Sequence, residues 1–207
     1  MISDDELLST ADAEQTAENQ ARADVYRLLG ALLASPPKDE LLRIVKNLEV
    51  DQTHDDDSMT NAWQSLRSAA QQAHPEQLED EYFNLFIGLG KGELSPYASW
   101  YLTGFLMEKP LAELRKELSR LGFIRQADMR EPEDHVAALS ELMGMLITEC
   151  VLSFDEEKAL FQKFIAPWMG RFFDDLIHAQ YSVFYKPVGR LGKQFIGIEQ
   201  RYFSMSV

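Results

Sequence analysis

The sequence has few of the residues that build disulfides and metal sites. Cys150 is the only cysteine among 207 residues, so no internal disulfide and no cysteine-based zinc site can form. Because Cys150 lies in an apolar helical stretch, we expect it to be packed and unreactive. The four histidines have no repeated spacing, and the Glu-x-x-His motif of di-iron bundles is absent. We therefore expect no metal site.

Long apolar runs are also missing. No stretch of about 18 uncharged apolar residues occurs, so the sequence predicts no membrane-spanning helix. The segment Met1–Glu6 is acidic and lacks the basic start and apolar run of an export signal. These two absences favour a cytoplasmic protein.

Basic residues are fewer than acidic residues in this sequence. The chain has 34 acidic and 20 basic side chains, a formal net charge of −14. Such a surface repels the phosphates of nucleic acids and of anionic membranes, whereas it attracts a basic peptide. Apolar residues make up 45% of the chain, which is enough to form a sizeable core.

The apolar residues recur at helical spacing, and period-two strand patterns are nearly absent. The pattern predicts about nine helices in one compact all-α domain over residues 18–207, with possible lobes at 18–104 and 105–207. We expect residues 1–17 to form a disordered acidic tail and residues 51–57 to form a solvated loop. The following residues mark the predicted helix starts and stops: Ser35, Pro75, Ser95, Pro110, Gly122, Pro132, Ser153, Pro167 and Pro187.

The loop from Gly88 to Gly92 has some likeness to a phosphate-binding loop. A P-loop needs four residues between its glycines, a Gly-Lys-Ser/Thr ending and a preceding strand, and this loop has none of the three. A flexible connection between helices is the simpler interpretation. The alternative is a nucleotide-dependent enzyme that uses this loop, with Glu131 and His135 as acid and base. No nucleophile motif is present, and we expect no catalytic residue.

Two short segments carry a family resemblance. The first reads Glu81-Tyr82-Phe83-Asn84-Leu85-Phe86, then Gly88, then Pro96-Tyr97-x-Ser99-x-Tyr101-Leu102. The second reads Glu131-Pro132-x-Asp134-His135, then Glu141-x-Met143. Together they resemble the two signatures of the TorD/DmsD/NarJ family of redox-enzyme maturation chaperones, in order and in separation.

The resemblance implies an all-helical cytoplasmic chaperone and no enzyme activity. Such a chaperone binds the twin-arginine signal peptide of a molybdenum or tungsten oxidoreductase subunit. It holds the apo-form of that subunit for cofactor insertion before export. The resemblance also implies a monomer or a domain-swapped homodimer, and no cofactor beyond weak binding of a guanine nucleotide.

The family's peptide pocket uses both signatures. Carried over by position, the resemblance assigns it these residues: Tyr82, Leu85, Phe86, Pro96, Tyr97, Ser99, Tyr101, Asp134 and His135. Our hypothesis is that the aromatic rings contact the apolar part of the signal peptide, while Asp134 and surface acids meet its arginines. The alternative, purely structural interpretation is that the aromatic residues belong to the core and that Asp134 caps a helix.

Two positions depart from the family pattern: Ser95 replaces a proline, and Trp100 stands where many members have an aliphatic residue. The segment from Phe105 to Arg115 is most similar to members associated with formate dehydrogenases. An enzyme of the DMSO or TMAO reductase type is the other candidate client. A helical adaptor that binds a folded partner remains an alternative function.

Overall fold

The described part of the protein is helical. A computed structural model describes residues 4–50, 58–123, 131–149 and 152–205, and within these ranges it has no strand. In chain order the α-helices are α1 (Asp4–Ala34), α2 (Asp39–Lys46), α3 (Ser58–Gln72), α4 (Pro75–Tyr82), α5 (Ala98–Thr103), α6 (Lys109–Arg120), α7 (Val136–Glu149), α8 (Phe154–Phe164), α9 (Met169–His178) and α10 (Tyr185–Ser204). A π-helix, Phe83–Ile87, directly follows α4. The all-α prediction is confirmed.

Most predicted helix ends occur where the sequence placed them. Pro75 is the first residue of α4, and Pro167 lies between α8 and α9. Ser153, a predicted helix start, precedes α8 and forms a capping box with Glu156. Gly122 follows α6 with φ of 84°, a left-handed conformation that glycine adopts without steric cost.

Three boundaries differ from the predictions. Helix α1 begins at Asp4, so residues 4–17 are helical rather than a tail, and this stretch contains neither proline nor glycine. Helices α5 and α7 begin at Ala98 and Val136, later than the predicted starts at Ser95 and Pro132. In both cases the residues before the helix are used in a contact between the two segments. The predicted loop at residues 51–57 and the packing of Cys150 lie outside the described residues.

One hydrophobic cluster joins helices from both halves of the chain. Helix α1 packs along α7, and α10 packs against α9 and α3. The halves 18–104 and 105–207 therefore share this core. Helical spacing from Leu78 through Leu85 would extend the apolar stripe to Leu89, but Leu89 is 98% exposed, because the helix ends at Ile87 and Leu89 lies in the glycine loop.

A buried ionic cluster ties α1 to α8 and α10. The Arg22 guanidinium donates two hydrogen bonds to the Glu199 carboxylate, at 2.7 and 2.8 Å, and a third to Glu157. Arg22 and Glu199 are both buried. Buried charges of this kind require their partners, since an uncompensated ion in the core is strongly destabilising.

We predict that Arg22→Met lowers the free energy of unfolding by about 3–5 kcal/mol, because two carboxylates lose their buried cation. Urea unfolding monitored by circular dichroism measures the change. Arg22→Met combined with Glu199→Met should recover much of the loss, and Arg120→Met, which breaks only exposed ion pairs, should leave the midpoint nearly unchanged. Equal midpoints for Arg22→Met and Arg120→Met would contradict the assignment.

Candidate functional site

The two signature segments lie side by side. Tyr97 and His135 form an antiparallel β-bridge, the contact that precedes both α5 and α7. The Ala98 amide donates to the Asp134 carbonyl and the Val136 amide donates to the Pro96 carbonyl, each at 2.9 Å. Main-chain hydrogen bonds therefore hold together two segments that are more than 30 residues apart in sequence.

Asp134 stabilises the start of α5. Its Oδ2 accepts a hydrogen bond from the Ser99 amide at 2.8 Å, as a capping carboxylate does. Asp134 thus caps a helix, as in the structural interpretation, but the capped helix is α5 and not α7, the helix that follows it in the chain. Asp134 is only 1% exposed, and neither its Oδ1 nor the buried Ser99 hydroxyl has a hydrogen-bond partner among the described residues.

His135 caps α7 through its ring. Its Nδ1 accepts a hydrogen bond from the Ala137 amide at 3.1 Å, which requires that nitrogen to be unprotonated. Burial lowers the pKa of His135 below its usual value, against the opposing charges of Glu131 and Asp134. The capping bond explains why a histidine stands at this helix start. The edge of the His135 ring also meets the Tyr97 ring, with centroids 5.0 Å apart.

Several other residues that the resemblance assigned to the peptide pocket have structural roles. The Tyr82 hydroxyl donates to the carbonyls of Leu33 and Ala34 at the end of α1, and burial, with the charge of Glu131, raises the pKa of Tyr82 to about 12. Leu85 and Pro96 are buried. These side chains fix the signature segments in place and present little surface to a ligand.

Three residues assigned to the peptide pocket are partly exposed to solvent: Phe86, Tyr97 and Tyr101. The Tyr97 hydroxyl donates to Glu131, and burial together with this carboxylate raises the pKa of Tyr97. The Tyr101 hydroxyl donates to Asp175 of α9 at 2.8 Å, which ties α5 to that helix. The nine residues assigned to the peptide pocket are thus close neighbours, but they do not form one open surface.

Two glutamates that the sequence analysis did not select hold the connection between α9 and α10. The Glu81 carboxylate accepts hydrogen bonds from three consecutive amides, those of residues 183–185, at 2.8–3.1 Å. Glu93 accepts from the amides of Gln180 and Tyr181 at 2.6 and 3.1 Å. Glu81 stands in the first signature, and that position was the available signal for it.

A pocket opens beside Asp134. It has a volume of about 260 Å³ and lies between α5, α6 and the end of α8. Its apolar walls include Leu114, Leu139 and Phe164, and Asp134 lines it as well. At its edge Glu113 pairs with Lys109 and Lys163, at 3.5 and 3.4 Å. The pocket therefore combines an apolar wall with one buried carboxylate whose Oδ1 has no partner in the part of the chain that the structure describes.

An exposed apolar ridge borders this pocket. We define the ridge as four residues after and within α5: Leu102, Phe105, Leu106 and Met107. Gly104 ends α5 in the left-handed conformation, and Met107 also has a positive φ, 60°. The resulting turn directs the chain outward, so that Phe105 and Met107 are 68% and 73% exposed.

Comparisons with known proteins decide the family. Residues 52–174, more than half of the chain and including both signatures, match the family described as nitrate reductase delta subunit. The chain belongs to this family. It groups the TorD and NarJ chaperones, so the predicted family is confirmed and the chain is a chaperone of redox-enzyme maturation rather than an enzyme.

Relatives of this family match along nearly the whole chain. Chaperone protein TorD of Aliivibrio fischeri is 28% identical, over 92% of this chain and 98% of its own length. The TorD of Shewanella loihica is 26% identical, over 90% and 94%. A crystal structure from Archaeoglobus fulgidus, assigned to redox enzyme maturation, has a TM-score of 0.52 at 20% identity and covers 85% of this chain and 93% of that one. It shares the fold.

Other classes of site find no support within the described residues. No group of three or more histidine, cysteine, aspartate or glutamate side chains is placed to hold a metal ion there. None of the described helices is long and apolar enough to cross a bilayer.

We predict that the protein loses stability as the pH falls below about 6.5, in part through His135. The unfolded chain binds a proton on this histidine at a higher pH than the folded chain does, so acid favours unfolding. His135→Asn keeps a capping acceptor without the titration. Urea unfolding at pH 7.5 and 5.5 should show a smaller loss for this variant than for the original protein. Equal losses would refute the role of His135.

Proposed function

We propose that this chaperone binds the twin-arginine signal peptide of a molybdenum or tungsten oxidoreductase subunit in the cytoplasm. The binding site would consist of the pocket beside Asp134 and the apolar ridge. Bound there, the peptide would keep the apo-subunit from export until its cofactor is inserted. The family and the relatives named as chaperones support the client class.

The pocket is the observation that carries the proposal. A buried carboxylate oxygen without a partner is unusual, because leaving such an acceptor unsatisfied costs free energy. Asp134 Oδ1 has no hydrogen-bond partner among the described residues, and Asp134 is one of the residues that line the pocket. A peptide N–H or a side-chain donor entering the pocket would satisfy this oxygen.

The ridge supplies the second element of recognition. Apolar side chains scattered singly on a surface need no explanation, whereas a contiguous exposed group marks an interaction site. Leu102 belongs both to the ridge and to the pocket lining, so the two form one surface. The apolar segment of a signal peptide would cover this surface, in the manner of a helix or an extended chain in a groove.

The charge distribution suits the basic part of the peptide. The chain has a net charge of −14, which would attract a basic segment and speed its association. The pocket edge itself holds two lysines around Glu113. We therefore assign the pocket to an apolar side chain with one donor, and we place the arginines outside it rather than on Asp134.

The structure gives the nucleotide-dependent alternative little support. The Gly88–Gly92 loop follows a π-helix and its lysine rests on a tryptophan ring, an arrangement unlike a phosphate cradle. We accordingly propose no cofactor. An adaptor for a folded partner would bind the subunit even when the subunit lacks its signal peptide, here called the leader. Pull-downs with the leader peptide alone and with the leaderless subunit therefore separate the two functions.

The client remains either a formate dehydrogenase or an enzyme of the DMSO or TMAO reductase type. The sequence from Phe105 to Arg115, which carries the formate dehydrogenase likeness, includes most of the ridge and the start of α6. Client preference would therefore lie in the surface that we propose for peptide binding. Titration with leader peptides from both enzyme classes would identify the client.

We predict that Phe105→Ser combined with Met107→Asn weakens binding of the leader peptide about tenfold, because two apolar contacts are lost. Asparagine suits the left-handed backbone at position 107. Isothermal titration calorimetry measures the affinity. Ile44→Ser on α2, which removes an apolar side chain that is 54% exposed elsewhere on the protein, serves as the control. Undiminished affinity in the folded double variant would rule out the ridge.

A further inference from the structure

The glycine loop is built to a fixed shape. Gly88 has φ of 59°, and a Cβ there would collide with the backbone of Lys91. A Cβ on Gly92 would collide with the backbone of Phe86. The Leu94 amide donates to the Leu85 carbonyl at 2.8 Å, which closes the loop against the π-helix. The loop backbone is thus pinned at both ends by contacts that only glycine allows.

This shape places a cation on an aromatic ring. The Lys91 ammonium lies 3.8 Å from the centroid of the Trp100 ring, within the range of a cation–π contact. Trp100 is half-buried on α5, and Lys91 is exposed. The Trp100 ring is therefore accessible from the side that Lys91 covers.

We propose that the Trp100 ring is a binding site for a guanidinium group of the client peptide, and that Lys91 occupies this site in the free chaperone. The proposal rests on the peptide-binding function proposed above. Arginine binds tryptophan faces more often than lysine does, and its planar group stacks on the ring. An arginine from the leader would therefore displace the Lys91 ammonium.

The displacement would require little rearrangement of the chaperone. The lysine stem is flexible, so its ammonium can leave the ring while the pinned loop backbone stays in place. The loop tip has free space, since a Cβ on Gly90 would meet no other atom and Leu89 is exposed. The Lys91 ammonium would then act as a mild competitor of the leader's arginine for the Trp100 ring.

The position of Trp100 fits a peptide that also fills the pocket. Ala98 and Leu102 line the pocket from one face of α5, and Trp100 projects about 200° away from Ala98. The path halfway around a helix about 10 Å across is about 16 Å long, a span that about five extended residues cover. A leader whose basic residues adjoin its apolar segment could therefore reach both faces of this short helix.

Lys91→Gln provides the test. Removing the competitor should tighten binding of an arginine-bearing leader about three- to tenfold, measured by titration calorimetry. Binding of the same leader with its arginines replaced by alanine should not change. Lys38→Gln, which removes the same charge from the exposed start of α2, controls for net charge. The gain should disappear when Trp100→Leu is also present. A Lys91→Gln affinity equal to or weaker than that of Lys38→Gln would overturn the proposal.

Fluorine NMR of protein labelled with 5-fluorotryptophan separates this site from the peptide-binding function. The Trp100 resonance, assigned from Trp100→Leu, should shift with Lys91→Gln and again when argininamide or the leader is added. If no leader binds but argininamide moves this resonance in Lys91→Gln, the peptide function fails and the cation site stands. If the leader binds without moving it, the cation site fails alone. If neither ligand moves it, the cation site also fails.

Discussion

The structure depends on the main-chain contact between the segments before α5 and α7. The bridge between Tyr97 and His135 aligns these segments, and each then caps a helix: the Asp134 carboxylate caps α5 and the His135 ring caps α7. A six-residue helix such as α5 is too short to be stable by itself. The capping carboxylate and the bridge hold it in place, and the pocket and ridge depend on that placement.

The first signature extends the same network to the rest of the fold. Tyr82 reaches the end of α1, Glu81 holds the start of α10, and Tyr101 reaches α9. The signature residues therefore act mainly as a frame. This arrangement accounts for the burial of Leu85 and Ser99. The ridge and Trp100, which we propose for recognition, are less buried residues beside them.

The fold could be predicted from the sequence because helices follow local rules. Spacing of apolar residues, the Ser153–Glu156 capping box and Pro75 identified most helices and many of their ends. For the site, the sequence could predict only which segments lie close together. Nothing local shows that Asp134 caps a helix 35 residues earlier in the chain, because that bond exists only after the bridge forms. The exposed turn after Gly104 was equally hidden, since nothing in the local sequence distinguishes an exposed Phe105 or Met107 from a buried one.

We propose that the face formed by α5, the ridge and α6 receives the signal peptide. Hydrogen exchange measured by mass spectrometry, with and without a saturating leader peptide, tests this proposal over the whole chain at once. We predict slower exchange across residues 98–114 and unchanged exchange across α3. Protection confined to α2 and α3, or no protection at a peptide concentration shown to saturate binding, would contradict it.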